Sequence, residues 1–221
     1  MASTKLNCFS PLAFFSTEQL QEIHNGALEI LEDTGCELHH EEAVRLLKNA
    51  GAFTEGKRVY LTPGMVENAL KSAPSRVLVY DGDGKPAMDL SGRNAYFGTG
   101  SDCIYLRDSF SGERRVFTEH DQIDAVRLAD ALPNIDFLMS MGMISGVNPQ
   151  HQCQRQYANM IKYSKKPQVV IAVSRQSLDD VAELAASVLP GGREELKRKP
   201  RFVFIPSPLP RWFTALKLWI N

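Results

Sequence analysis

The sequence predicts an α/β fold with parallel strands. Its second half alternates strand, helix, strand, helix, strand. Its run Gln168-Val169-Val170-Ile171-Ala172-Val173 is almost unbroken in β-branched and apolar residues. Its first half is a set of short capped helices with short strands between them. Alternation of this kind implies right-handed crossovers between parallel strands. An apolar run without alternation marks a strand buried on both faces. A doubly wound sheet and part of a (β/α)8 barrel both satisfy the pattern, and in either the ligands gather at the carboxyl ends of the strands.

The elements follow in chain order. Ser16 with Gln19 forms a capping-box pattern, and Leu20, Ile23, Ala27, Ile30 and Leu31 recur at helical spacing until Gly35. A second helix is expected from Glu41 to Ala50, stopped by Gly51. Arg58 to Leu61 reads as a strand. Thr62-Pro63 then starts a third helix, with threonine as cap and proline at the first helical position, and Pro74 ends it. Arg76 to Tyr80 is a strand followed by the turn "DGDGKP".

In the second half, Asn134 to Met139 is a short apolar run. Asn148-Pro149 opens a helix with Cys153, Tyr157, Met160 and Ile161 on one face. Ser177 with Asp180 is the expected start of the next helix, whose apolar residues are Leu178, Val181, Leu184, Ala185 and Val188. Gly191-Gly192 is its expected stop, and Phe202 to Ile205 is a further buried strand. The expected carboxyl ends of these strands carry Ser140-Met141-Gly142, Ser174-Arg175-Gln176 and Pro206-Ser207.

Composition limits the function classes. The chain has 221 residues, 43% of them hydrophobic, and a formal net charge of -1. That is enough for one sizeable core, and it gives no general attraction to nucleic acid. The basic cluster from Arg193 to Arg201 includes two glutamates and reads as a solvated connection. Cys8, Cys36, Cys103 and Cys153 are far apart, with no C-x-x-C pair, so the reading is reduced thiols and no metal site. The amino terminus lacks a secretory pattern, and no apolar run reaches the ~18 residues that cross a bilayer. The expectation is a soluble, cytoplasmic protein without a membrane partner.

The stretch Tyr96-Phe97-Gly98-Thr99-Gly100-Ser101-Asp102 has the look of a phosphate loop. A dinucleotide loop, however, runs into a helix whose amino terminus meets the pyrophosphate. Here a strand-like run, Cys103 to Asp108, comes next. The turn "SFSG" and the return run Glu113 to Phe117 make it a hairpin, and a helix capped by Thr118 follows only after that. "AYFG" is therefore read as a strand with "TGSD" at its carboxyl end, where glycines permit close approach of a ligand or of neighbouring backbone. Tyr96, Phe97 and Tyr105 flank this loop. Their rings suit a quaternary ammonium, at ~0.5–2 kcal/mol each, and core packing is the alternative use of the same rings. His39-His40-Glu41-Glu42 lacks metal spacing and reads as a helix start with acids matched to the dipole. His120 and His151 fall in first helical turns, with no partner that would make a triad.

In order along the chain, "STEQLQEIHNGALEILEDTGCELHHEEAVRLLKNAGA", "APSRVLVYDGDG", "YFGTGSD", "SGERRVFTEHDQIDAVRLADALPNIDF" and "KKPQVV" together resemble the amino-terminal part of the trimethylamine methyltransferase family. These are corrinoid-dependent methylamine and quaternary-amine methyltransferases, and the resemblance covers about residues 15 to 207. It implies a (β/α)8 TIM-type barrel with added amino-terminal elements. On that basis residues 1–94 are expected as helices and short strands, 95–207 as the first part of the barrel, and 208–221 as a tail that departs from the family pattern. It implies methyl transfer from a methylated amine to cobalamin (corrinoid) carried by a partner protein, with no cofactor bound directly. Some family members use pyrrolysine.

The family chain is roughly twice as long, so a truncated form is expected, and the tail "RWFTALKLWIN" fits a frame-shifted end or a short terminal helix. Self-association of like chains is compatible with this reading. Tyr96, Thr99, Ser101 and Asp102 are the expected substrate-mouth residues, placed by the strand-end argument; no catalytic residue is assigned. Two other readings stand beside this one: a non-catalytic fragment that binds a partner or ligand, and a different small-molecule enzyme on an α/β barrel.

Overall fold

A computed structural model describes residues 13–172 and 174–206. Cys8, Val173, Ser207 and the tail 208–221 lie outside the described residues. The chain divides between residues 75 and 76 into two units.

In residues 13–75, helix α1 (Thr17–Glu29) starts on the expected box: Gln19 N donates to Ser16 Oγ (3.3 Å) and Ser16 N to Gln19 Oε1 (2.9 Å). The expected single helix to Gly35 changes to a π-helical turn over Ile30–Thr34 before Gly35 ends it at φ 69°. A Cβ at Gly35 would lie 2.6 Å from the Val59 carbonyl, so the stop is steric as well as conformational. Strand β1 (Cys36–Glu37), helix α2 (Glu41–Asn49), β2 (Phe53–Glu55) and β3 (Arg58–Tyr60) follow. The strands form an antiparallel sheet in the order β1-β3-β2, over which Ala43, Ala52 and Val59 are buried. Helix α3 (Pro63–Ser72) begins at Thr62, whose hydroxyl accepts from Met65 N (3.4 Å).

Residues 76–206 open with the antiparallel hairpin β4 (Arg76–Tyr80) and β5 (Pro86–Ser91). Tyr80 N donates to Pro200 O (2.8 Å), Gly82 N to Lys165 O (2.6 Å), and Lys165 Nζ pairs with Asp83 (2.7 Å). The hairpin thus sits on the segments that lead into β8 (Gln168–Ala172) and β9 (Phe202–Pro206), at the amino ends of those strands. A second hairpin, β6 (Tyr105–Arg107) and β7 (Arg114–Val116), comes before helix α4 (Glu119–Ala131).

The expected strand–helix alternation is present from α5 onward, whereas its expected first strand, Asn134 to Met139, carries only isolated bridges at Phe137 and Leu138. After α4 come a 3-10 turn (Pro149–His151), α5 (Gln152–Tyr163), β8, α6 (Arg175–Ser187), α7 (Gly192–Arg198) and β9. β8 and β9 pair in parallel, Val169 opposite Val203. Parallel bridges continue the array backwards through Leu138↔Gln168 and Gly98↔Phe137. The parallel segments therefore lie side by side in chain order, without the reversal of order that a doubly wound sheet carries. The architecture is α/β, and no closed barrel is formed by the described residues.

Two details differ from expectation. The cap of α6 is Ser174, which accepts from Ser177 N (3.1 Å); Ser177 is buried one turn in and shares its hydroxyl with Ser174 (2.9 Å). The basic cluster forms the short helix α7, with Glu194 and Glu195 in its first turn and Lys197 and Arg198 in its last, the arrangement its dipole favours.

One face of the parallel array supports the core. Leu138 and Val170 meet Val126 and Ala129 of α4, Cys153, Tyr157 and Met160 of α5, and Leu178, Val181 and Ala185 of α6. Of the polar residues inside this layer, Asn159 Nδ2 donates to Gln122 Oε1 (2.9 Å) and to Glu119 Oε1 (2.9 Å), and Arg155 grips both oxygens of Glu119, whereas the buried Oε1 atoms of Gln154 and Gln168 have no hydrogen-bond partner among the described residues. Lys166 Nζ donates to Ala129 O and Leu132 O (2.7 Å each), capping the negative end of α4.

Candidate functional site

The amino ends of the parallel segments are covered by the β4–β5 hairpin, so the carboxyl ends form the candidate mouth. Two of these ends interlock. Met141 N donates to Gly100 O (2.9 Å), Cys103 N to Met141 O (3.2 Å) and Met143 N to Cys103 O (2.9 Å). Asp102 (φ 69°) and Met141 (φ 64°) are the two non-glycine residues with left-handed backbone among the described residues, and they stand on these adjoining ends. A short polar side chain tolerates that conformation, and methionine does not share the allowance. Met141 is the centre of a three-residue turn closed by Gly142 N to Ser140 O (2.7 Å). Such backbone costs of order 1–3 kcal/mol and persists only where the surroundings over-determine it.

The glycines of this region have different reasons. A Cβ on Gly98 would overlap the Phe137 ring, and one on Gly142 would meet Cys103 O at 2.5 Å and the buried Phe117 ring at 2.7 Å. Both are close-approach glycines set by packing. Gly100 would meet nothing within 4 Å. Its small size serves no contact among the described residues.

The expected site residues divide the same way. Tyr96 uses its hydroxyl on the β5 backbone, accepting from Asp89 N (2.8 Å) and donating to Asp89 O (3.4 Å). Thr99 Oγ1 accepts from Met139 N (2.7 Å) and donates to Met139 O (3.1 Å), standing in for a ladder pair between neighbouring segments. Ser101 Oγ donates to Asp102 Oδ2 (2.9 Å), and that shared bond is the pair's only side-chain hydrogen bond among the described residues. Asp102 is exposed and Ser101 half-buried. The structure therefore brings Thr99, Ser101 and Asp102 to one strand end and holds Tyr96 a few residues below it. Of the flanking rings, Phe97 is exposed, while Tyr105 carries the Arg114 guanidinium 3.9 Å above its centroid. That face of Tyr105 is closed to a second cation.

The sequence reading named Ser140-Met141-Gly142 but not what fixes it. Gln156 Nε2 of α5 donates to Gly142 O (2.7 Å), and Gln152, one helical turn earlier, faces the backbone of Ile144. The i, i+4 spacing of these glutamines was the available signal. No group of three or more His, Cys, Asp or Glu among the described residues is placed to hold a metal ion. His39 lies 3.4 Å from Glu37, and His120 lies 3.3 Å from Asp124 one turn on. No described helix is long and apolar enough to cross a membrane.

Behind the mouth, Asp121 anchors the start of α4. Its carboxylate accepts two bonds from Arg115 (2.7 Å each), one from Thr118 Oγ1 (2.6 Å) and one from Thr118 N (2.8 Å). The Arg115 guanidinium leads the causes that hold this carboxyl well below the usual carboxylate range. A depressed folded pKa contributes stability that is present above the unfolded value of about 4 and is lost as pH falls through the folded value. The wild-type chain is expected to lose stability progressively below about pH 4, and Asp121→Asn to flatten that dependence while being less stable at pH 7. Urea unfolding between pH 2.5 and 7 measures both, and parallel curves for the two proteins would exclude Asp121 as the source.

A family model described as "Trimethylamine methyltransferase (MTTB)" matches residues 2–212. The chain is 34% identical over 200 residues to glycine betaine methyltransferase of Desulfitobacterium hafniense (strain Y51), covering 87% of this chain and 40% of that protein. It is 28% identical over 198 residues to trimethylamine methyltransferase MttB of Desulfitobacterium hafniense (strain DSM 10664 / DCB-2), covering 86% and 39%. It is 27% identical over 222 aligned residues to trimethylamine methyltransferase MttB of Methanosarcina barkeri (strain Fusaro / DSM 804), covering 95% and 43%. The chain spans about two-fifths of the length of these curated relatives.

Proposed function

The chain belongs to the trimethylamine methyltransferase family, and from that membership we propose that it acts in moving a methyl group from a methylated amine to a corrinoid protein. The amine is trimethylamine or a quaternary amine such as glycine betaine. The match over residues 2–212 carries this reading. The chain-order parallel array supports a (β/α)8 barrel as the frame, since such a barrel is wound strand by strand around a ring.

In this reading the amine enters as a cation, quaternary or protonated; its N–CH3 bond breaks, the bonding electron pair stays with the nitrogen of the departing neutral amine, and an electron pair of the reduced acceptor forms the new bond to the methyl. The acceptor is a second substrate, and cobalamin is carried by its own protein. Displacement of this kind needs the methyl group held in line and the amine supported as it leaves. Asp102 and Ser101 are the groups of this chain suited to the amine: an exposed carboxylate offsets its positive charge, and the hydroxyl donor fixes the carboxylate. Gly100 leaves the approach clear. Thr99 and Tyr96 hold the strand end in place rather than touching the amine. A cytoplasmic setting belongs to the same proposal.

Titration of glycine betaine and of trimethylammonium by calorimetry tests the assignment. Asp102→Asn is expected to weaken binding about tenfold, the loss of one charge-assisted partner. Asparagine tolerates the left-handed backbone, so the fold is kept. Equal affinity of wild type and variant would remove Asp102 from the site.

A second reading is a truncated, non-catalytic chain that binds the amine or the partner without turnover. Binding without methyl transfer is its signature.

A further inference from the structure

We propose that the β6–β7 hairpin is the docking surface for the protein that receives the methyl group, and that it meets an acidic, partly apolar face of that protein. The inference rests on the methyltransferase reading above and adds to it the contact surface on this chain.

The hairpin grows directly out of the candidate mouth. Cys103, whose backbone is bonded to Met141 and Met143 at the strand end, lies two residues before β6. The hairpin therefore starts beside the mouth. The register places Tyr105 opposite Val116 and Arg107 opposite Arg114, and alternation along the strands puts these residues on one face. All of them are exposed. At the turn, Phe110 is 100% exposed.

The turn is rigid. Asp108 Oδ1 accepts from Phe110 N and Ser111 N (3.0 Å each), Gly112 N donates to Asp108 O (2.9 Å), and Arg107 Nε donates to Gly112 O (2.9 Å). Arg115, on the other face, ties the hairpin to Asp108 and Asp121. A phenylalanine held fully in water by a locked turn contributes nothing to the core of this unit. Aromatic residues and arginine are the types enriched where protein interfaces concentrate their binding energy, and a preformed hairpin loses little entropy on docking.

Charge selects the partner. Arg115 is matched by carboxylates of its own unit, whereas Arg107 and Arg114 form no ion pair with a carboxylate among the described residues. Arg114 lies over the Tyr105 ring, so the pair presents one flat cationic surface. Such a face steers and holds an acidic surface, and its contribution falls with salt. The chain's net charge of -1 gives no broad basic field for nucleic acid, so the match is a local one, to a protein.

The test uses the full 221-residue chain and a purified corrinoid protein of the methylamine type. Dissociation constants come from calorimetry, and methyl transfer is measured both to that protein and to free reduced cobalamin. Phe110→Ser is expected to weaken binding about tenfold and Arg107→Glu with Arg114→Glu about thirtyfold or more, with a smaller salt dependence. Transfer to free cobalamin stays as in wild type, because the residues are exposed and outside the amine site, and the melting temperature falls by no more than a few degrees for the lost Arg107 and Arg114 contacts. Variants that bind the corrinoid protein as wild type does overturn the docking surface while leaving the methyltransferase reading intact. Variants that instead abolish self-association, with corrinoid-protein binding unchanged, assign the hairpin to contacts between copies of this chain and also overturn it. A wild-type chain that binds no corrinoid protein and transfers to neither acceptor sinks the methyltransferase reading, and this inference with it.

Discussion

Gly142→Ala is expected to destabilise the chain by about 3 kcal/mol, more than most single-methyl insertions. The new Cβ would stand 2.5 Å from the Cys103 carbonyl and 2.7 Å from the Phe117 ring. Neither neighbour can give way freely. The Cys103 carbonyl accepts from Met143 N (2.9 Å), and Phe117 is 5% exposed, with its backbone bonded to Ile104 and Ser145. Relief would separate the two strand ends that form the mouth. The control is Gly100→Ala, where open space predicts a change within about 0.5 kcal/mol. Denaturant unfolding of the two variants decides the matter, and equal stabilities would contradict the packing described at the mouth.

The other large effect belongs to the core. Tyr157→Ala is expected to cost about 3–5 kcal/mol, the range for deleting a buried aromatic side chain. Tyr157 is 1% exposed, sits among α4, α5, α6 and the parallel strands, and meets Phe202 edge to face at 5.8 Å between centroids. Burial also pushes its hydroxyl pKa upward. Tyr157→Phe keeps the ring and the Phe202 contact, so it is expected to retain most of the stability. A loss as large as that of alanine would show that the hydroxyl, not the ring, carries the effect.

What the sequence disclosed was local. Ser16 with Gln19, Thr62 with Pro63, and Thr118 were each readable because a cap is satisfied within three residues. The buried strands at 168–172 and 202–206 were readable because burial on both faces leaves an unbroken apolar run. β5 was missed, since Pro86 to Ser91 mixes polar and apolar residues and is defined only by pairing with β4. α6 was entered at the wrong serine: Ser174 and Ser177 both begin plausible caps, and only burial of Ser177 against the core separates them.

The site shows the same limit. "AYFG" reads as a strand with "TGSD" at its end, yet the segment forms only the isolated parallel bridge Gly98↔Phe137, and its meaning depends on residues about forty positions away. Gly98 is small because Phe137 crosses it, and Thr99 is engaged because Met139 lies beside it. Tyr96 has an aromatic ring suited to a cation, yet its hydroxyl serves the backbone of Asp89. Ser101 and Asp102 keep the freedom that sequence assigned to the whole loop, and the left-handed turn at Asp102 is visible only in three dimensions.

The most direct measurement follows a labelled methyl group. The soluble, folded chain is incubated with methyl-labelled trimethylamine or glycine betaine and a reduced corrinoid protein, and both the demethylated amine and the methylated acceptor are quantified. Label is expected in the acceptor in equal amount to demethylated amine, lost on omission of either substrate and reduced by Asp102→Asn. Folded chain that binds amine or corrinoid protein yet moves no label from any methylated amine would contradict it.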